Sequence, residues 1–482
     1  MKFSVSQYMS RQPLTDTLLK QLRSGNAEQV DIALTRAEVQ GFDLGPWEKE
    51  YAELQSFIEV PEGVSRFETI ATVYRTDKAN LSRQDLKVLP ESIRQLKNLS
   101  VLHLNNNELS FLPDWIGEKN LLKEINLRNN QLENLPGSIG QLENLEILNL
   151  SGNCLSKLPT GLFNLNQLQV LSLKQNRFVS LPEQIGSLIG LKKLDLSDNP
   201  LDEIPKSIAF LDGLQELSLA STGLSVLPDW IYSLKNLTIL HLERNLLVEL
   251  PAEFGNLSTL KELYLTQNKL ENLPDSFGNL QDLIRLHLEH NILESLPDSF
   301  ADLASLTELQ LQDNHLLALP EQIGNLKSLS ELYLERNRLV TLPDSICQLA
   351  QLKDLWIQSN ALEKLPEDIG DLKALEYLNL EYNPIESLPK SISGLSSLKN
   401  LLLSNTNLKQ LPAAVHKMNL DELDYSGTPY EEDSEKNQES AEENEAEQKN
   451  NEKQGKEVNA GCFNSILFLT LGLVSIIYFI LS

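Results

Sequence analysis

The sequence predicts an α/β solenoid in which one short coil recurs about fifteen times, with a parallel β-sheet along one face, a small helical cap before it and a transmembrane helix after it. Three observations predict this. Fifteen of the 21 prolines, from Pro90 to Pro412, recur every 23 residues without one insertion. Leucine supplies about one residue in five, roughly twice its ordinary share, which suits one short apolar unit used repeatedly better than several independent cores. The stretch from Ile466 to Leu481 is apolar and uncharged.

Each proline of the ladder follows an apolar residue (Leu89, Leu112 and Leu135, with Ile204 the one variant) and precedes x-x-Ile-Gly-x-Leu-x-x-Leu-x-x-Leu-x-Leu-x-x-Asn-x-Leu. The coil opening at Leu135 and Pro136 continues through Ile139, Gly140, Leu142, Leu145, Leu148, Leu150 and Asn153. Alternation across 148 to 150 is that of a strand, so Leu148 and Leu150 point inward while Ile147, Asn149 and Ser151 point out. The proline then removes a donor and fixes φ, which suits extended or 3₁₀ turns on the convex side rather than long helices. A single coil cannot bury its own apolar face, so the core exists only between neighbours and the ends need caps.

The pattern resembles the leucine-rich repeat family, in the 23-residue Leu-Pro-x-x-Ile-Gly class that includes intracellular Ras-group scaffolds, Scribble-like proteins and many bacterial members. It covers roughly residues 76–428. The resemblance implies a right-handed horseshoe with the parallel sheet on its concave face. Because the proline ladder leaves no loop to bend at, one continuous solenoid of fourteen well-formed repeats is expected, with a worn repeat at each end.

Asparagine fills one column from Asn107 to Asn383, at the point where the chain turns away from the strand and leaves backbone groups unpaired inside. An amide carries both donor and acceptor and can satisfy them. Thr222 and Thr406 interrupt the column. A hydroxyl can do part of the work, so they read as tolerated variants, with local irregularity as the alternative.

At the C-terminal end the pattern returns one residue early, as Leu420, Leu423, Tyr425 and Thr428. At the N-terminal end a degenerate copy (Ala79, Leu81, Gln84, Leu86) follows residues 1–75, which differ in character. There, Asn26 to Gln40 and Pro46 to Val60 carry helix signals with apolar residues at helical spacing (Val30, Leu34, Ala37; Tyr51, Leu54, Phe57, Ile58). They read as a cap on the solenoid of residues 76–428, with an independent binding module as the alternative. Cysteine-rich caps, usual in extracellular relatives, are missing at both ends.

Residues 429–459 form an acidic linker too polar to order itself; from 431 onward it holds 11 acidic and 4 basic side chains and no aromatic. The segment 460–482 follows. From Ala460 to Leu481 a helix would span about 33 Å, enough for a bilayer core of about 30 Å. A C-terminal helix docked on the solenoid is the alternative, but a helix apolar on every face leaves none for water. Lys449, Lys453 and Lys456 precede the segment, so the positive-inside rule places the solenoid in the cytoplasm. Cys462 sits at the expected interface, where acylation competes with an incidental cysteine.

Composition narrows the partners. With 41 Lys and Arg against 68 Asp and Glu the net charge is −27, which disfavours nucleic acid and favours proteins, cations or basic segments. Cys154, Cys347 and Cys462 are too few and too scattered for a disulfide framework or a zinc site, and fit a reducing compartment. The first residues lack the apolar run of a secretory signal. No phosphate loop, H-E-x-x-H, G-x-S-x-G or C-x-x-C occurs, so neither an enzyme nor a cofactor is expected.

The outward position between the paired strand leucines forms a column from His103 to Leu402, with large rings gathered at His241, Tyr264, His287, Tyr333 and Trp356. Glu243, Glu289, Glu335 and Glu381 run along one flank, and Glu216, Glu262, Glu308, Glu331 and Asp354 along the other, with Arg244 and Arg336 nearby. Aromatics ringed by charge suit a hot spot for a basic or amphipathic protein segment, although strands also favour Tyr and Trp on propensity alone. A membrane-anchored interaction scaffold is therefore expected. The alternative is an accessory or regulatory subunit of a larger enzyme or signalling complex, docked through its N-terminal helices. The sequence leaves the oligomeric state open.

Overall fold

The computed structural model describes residues 12–13, 16–22, 24, 26–40, 42–43, 52–58 and 72–431. Sixteen three-residue strands, from Lys78–Asn80 to Glu422–Asp424, form one parallel sheet in sequential order. Successive strands pair in register with the 23-residue period, Leu148 opposite Leu171 and Leu171 opposite Leu194. Only the last pairing is a residue short, Leu401 opposite Leu423, as the early return of the pattern at Leu420 requires. The sheet is unbroken. At about 4.8 Å per strand its arc is roughly 70 Å long.

The convex side is built as proline dictates. Pro136, at φ −68° and ψ 146°, leads into a 3₁₀ helix over Gly137–Gln141, closed by the Leu142 N–H donating to the Ile139 carbonyl at 3.2 Å. Most other coils repeat this. Between the layers the inward side chains form one core running the length of the solenoid, with Ile139, Leu142, Leu145, Leu148 and Leu150 fully buried. Burying each such leucine stabilises the fold by about 1.5–3 kcal/mol. Phe254, Phe277 and Phe300 replace the isoleucine in three successive coils and stack with centroids 6.0 Å apart.

The asparagine column satisfies the corner after each strand. Asn291 donates through Nδ2 to the carbonyls of Leu288 in its own coil and Leu265 in the coil before, both at 3.0 Å, and its Oδ1 accepts the Leu270 N–H at 3.0 Å. Thr222 keeps the own-coil bond, its hydroxyl donating to the Leu219 carbonyl at 2.7 Å with Asn245 Oδ1 of the next coil 3.2 Å away, and Thr406 donates likewise to Leu403 at 2.8 Å; neither reaches the coil before as the amide does. The residue just before the column lies in the left-handed region in coil after coil, including Asn106, Asp198, Arg244, Arg336 and Tyr382 at φ 51° to 59°. Gly152 meets that requirement without a Cβ, at φ 68°.

At the N-terminal end, the helix Ala27–Gln40 is capped by Asn26, whose Oδ1 accepts the Gln29 N–H at 3.1 Å. Of the segment expected over Pro46 to Val60, residues 52–58 are described, with helix at 52–55. Val30, Leu34, Ala37, Leu54 and Ile58 are buried in the same core as the coils. The Asn80 N–H donates to the Phe57 carbonyl at 2.9 Å, so this segment covers the first edge of the sheet. At the other end the Thr428 hydroxyl donates to the Tyr425 carbonyl at 2.6 Å and the Tyr430 N–H to Leu408 at 2.9 Å. The acidic linker beyond 431 and the segment 460–482 lie outside the described residues. Among the described residues no helix is long and apolar enough to cross a membrane.

One coil breaks the leucine pattern. Lys119 stands where its neighbours have Leu96 and Leu142; it is 4% exposed, and its Nζ donates to the carbonyls of Arg94 at 2.9 Å and Leu96 at 2.6 Å. Burial, with Lys97 adding to it, pushes the ammonium down to about 7. The unfolded chain binds the extra proton between pH 7 and the ordinary lysine value of 10.5, so stability rises with pH across that window. Lys119→Leu is expected to raise the urea midpoint at pH 7 and to abolish this rise. A midpoint that is unchanged or lower at pH 7 would show that the two carbonyl contacts outweigh the cost of burying the charge.

Candidate protein-binding face

Each strand presents two outward side chains on either side of a buried leucine, as in Glu262–Tyr264, so the 23-residue register turns single positions into columns across the sheet. The five rings expected as one ridge divide into two groups. His241 and Tyr264 stack at 4.5 Å with an interplanar angle of 3°, and His287 meets Tyr264 edge-on at 4.8 Å. Gln310, on the next strand, interrupts them. Tyr333 and Trp356 then lie 6.1 Å apart, and Trp356 stacks on Tyr377 at 4.5 Å. All six rings are half-buried, because each covers its neighbour. Tyr377 escapes the sequence reading because it occupies the first outward position of its strand, not the central column. The visible signal is an aromatic in a column otherwise rich in carboxylates.

The flank of Glu216, Glu262, Glu308, Glu331 and Asp354 holds the two tyrosines in place. The Tyr264 hydroxyl donates to Glu262 Oε2 at 2.7 Å and the Tyr333 hydroxyl to Glu331 Oε2 at 3.0 Å. Burial and then that bond push the Tyr264 hydroxyl up to about 12, and the same causes raise Tyr333, so both remain donors at neutral pH. His287 Nε2 lies 3.2 Å from Glu308 Oε1 and His241 Nδ1 lies 3.3 Å from Glu243 Oε1. Burial, followed by the charges of Glu331 and Glu376, lifts the Asp354 carboxyl above the ordinary carboxylate range. The face is crowded with acid.

The arginines stand at the left-handed corner beyond the strands. Arg336 is committed, paired through Nε and Nη2 with both oxygens of Asp313 at 2.6 and 2.7 Å. Arg244 donates through Nε to Gln267 Oε1 at 3.0 Å. The second carboxylate flank is more enclosed than its sequence suggests. Glu289 is 9% exposed and takes the Thr266 hydroxyl on Oε1 at 2.6 Å. Glu243, Glu289 and Glu335 each hold Oε2 away from water with no donor, as do Gln312 and Gln358 with Oε1. Desolvation accordingly holds the Glu335 carboxyl above the ordinary range. A cavity of about 490 Å³ adjoins this flank, lined among others by Glu243, Arg244, Tyr264, Thr266, Glu289 and Gln312. Thr266, Gln312 and Gln358 carry no motif and are found only through the shared column.

Such a face can stack against flat groups and accept hydrogen bonds from cations. Among the described residues no group of three or more His, Cys, Asp or Glu side chains could hold a metal ion. Cys154 and Cys347 are free thiols, and burial pushes that of Cys347 up to about 11.

The family described as leucine-rich repeat region matches residues 115–198 and 309–380, the leucine rich repeat family matches segments within 189–316, and a further leucine rich repeat family matches 98–118 and 374–395. No curated protein matches the chain. Among solved structures, a leucine-rich repeat protein of Leptospira interrogans is 38% identical, with the alignment covering 73% of this chain and 90% of that one at a TM-score of 0.70. The plant peptide hormone receptor RGFR1, solved in complex with RGF2, is 26% identical over 75% of this chain and 72% of its own, at a TM-score of 0.54. An internalin from Listeria monocytogenes, 20% identical over 74% of this chain and 94% of its own at a TM-score of 0.54, shares the fold. Proteins of this fold typically act as interaction modules without catalysis. The unbroken 23-residue coil, its parallel sheet and these matches agree: the chain belongs to the leucine-rich repeat family.

Proposed function

We propose that this protein is a non-catalytic interaction scaffold whose concave face binds a protein partner with a basic or amphipathic segment. The observation that carries this reading is the pair of stacked ring groups set between two carboxylate flanks, one of them short of hydrogen-bond donors. Rigid aromatics bury large areas while losing few rotamers, and acidic surroundings select a cationic partner and speed its approach. Hydrolytic, redox or transfer chemistry finds no matching side-chain set in the sequence motifs. The peptide complex of RGFR1 offers a precedent for a related solenoid with a peptide partner. The partner-binding residues under this reading are His241, Tyr264, His287, Tyr333 and Trp356, with Glu243, Glu289 and Glu335 beside them and Arg244 and Arg336 at the rim.

The same reading tethers the solenoid to the cytoplasmic face of a membrane through residues 460–482. Support comes from the uncharged run from Ile466 to Leu481 and the lysines before it. Full-length protein is expected to partition with membranes, and a chain truncated after Gln448 to stay in the aqueous phase. A water-soluble full-length monomer would contradict the tether.

For the face itself, Trp356→Ala or Tyr333→Ala is expected to weaken binding of a confirmed partner by about 2 kcal/mol or more, with the unfolding midpoint nearly unchanged. Titration calorimetry against a cross-linked and purified partner measures it. If both variants bind as the wild type does, the contact lies elsewhere, on the convex side or the N-terminal helices, as the accessory-subunit reading requires.

A further inference from the structure

Glu243, Glu289 and Glu335 stand on alternate coils of one column, with Glu381 continuing the series. Three features set them apart from an ordinary acidic surface. The first is burial with an unmet need: Glu289 is 9% exposed, and the Oε2 atoms of Glu243, Glu289 and Glu335 have no donor. The second is the lack of a direct ion pair with a lysine or arginine. Among the described residues none of the three carboxylates makes one; the ionisable partners of Glu243 and Glu289 are His241 and His287, while Arg285 pairs with Glu262 and Glu308, and Arg336, though its charge reaches Glu335, pairs with Asp313. The third is spacing. Strands about 4.8 Å apart put carboxylates on alternate coils about 9.6 Å apart.

That repeat discriminates among peptide conformations. A β-strand returns a side chain to the same face about every 6.8 Å, too short by a third. An α-helix returns one after seven residues, about 10.5 Å, and drifts by about 3 Å over three steps. A polyproline II helix has three residues per turn and a rise of about 3.1 Å, so every third side chain recurs at about 9.3 Å and drifts by only about 1 Å over the same distance.

We infer that the concave face receives a segment in the polyproline II conformation with an arginine or lysine at every third residue, its cations seated in turn on Glu243, Glu289, Glu335 and Glu381. This rests on the concave-face reading above and names the partner's chemistry. The terminal torsion of a glutamate is soft, so the orphaned Oε2 of Glu243, Glu289 and Glu335 turns toward an arriving cation at little cost, while Glu381, whose Oε1 and Oε2 already accept the Ser404 hydroxyl and the Asn379 amide, takes the cation as an added partner. Between the carboxylates, the Oε1 atoms of Gln312 and Gln358, also without donors, accept backbone N–H groups of the segment. Flat rings at Tyr264, His287, Tyr333 and Trp356 suit the packing of a proline-rich backbone, which arrives already ordered.

The test is fluorescence anisotropy of the full-length chain in nonionic detergent with two labelled twelve-residue peptides of identical composition. One is (Arg-Pro-Pro)₄; the other places its four arginines at every second position and gathers the remaining prolines at the end. The triplet peptide is expected to bind at least about tenfold more tightly. The combined Glu243→Gln, Glu289→Gln, Glu335→Gln variant should erase that preference, with the single Glu289→Gln variant reducing it if the triple variant does not fold. Equal binding of the two peptides, or binding of neither, overturns the inference. Equal binding that is lost in Trp356→Ala overturns the spacing alone and leaves the concave site standing, whereas binding of both peptides that is indifferent to Trp356→Ala overturns the concave reading as well.

Discussion

A single buried asparagine joins each typical coil to the one before it, and the other features of the fold follow from that joint. The turn from concave strand to convex side leaves two carbonyls and an N–H facing the core, where water cannot reach them. An unmade hydrogen bond there costs about 1–3 kcal/mol. One amide meets all three, as Asn291 does with Leu265, Leu288 and Leu270. Because two of its three bonds cross to the preceding coil, the amide is also a register lock. It offsets the left-handed backbone that the preceding residue must adopt, a conformation costing roughly 1–2 kcal/mol in most side chains.

This lock is what converts a sequence period into a functional surface. With nearly every corner closed in the same way, strands of only three residues can align over sixteen coils. Residues 23 apart then become lateral neighbours, and a partner lying across the sheet meets one column at a time. Stacking of His241 on Tyr264 is a consequence of that alignment, and so is the regular placing of glutamates on alternate coils. A slip of one residue at any corner would turn the leucines outward and scatter the columns.

The features legible in the sequence are those the repeat states many times. Strand, 3₁₀ turn, inward leucines and asparagine corner are each written in a dozen or more copies, so one reading serves all. Interruptions of the asparagine column are legible too, because the hydroxyls of Thr222 and Thr406 can make the own-coil bond of the amide but not those to the coil before. What escapes is what occurs once or depends on a neighbour. Lys119 hides in a leucine column, since only the coordinates reveal the two carbonyls that receive its ammonium. Tyr377 joins the aromatic face through a diagonal contact that no period reports, whereas Gln310, which divides the rings, stands openly in the central column between His287 and Tyr333. The enclosure of Glu289 depends on Thr266 in the adjacent coil, so its outward position by alternation does not make it an exposed charge.

The lock itself is tested most directly by urea unfolding of Asn291→Ala and Asn291→Thr beside the wild type. Threonine can keep the bond to Leu288 while losing those to the preceding coil, as Thr222 does in its own position. Alanine keeps none. The account predicts a loss of about 3 kcal/mol or more for alanine and roughly half of that for threonine. Losses within about 0.5 kcal/mol of zero for both, the range of an ordinary surface change, would contradict it.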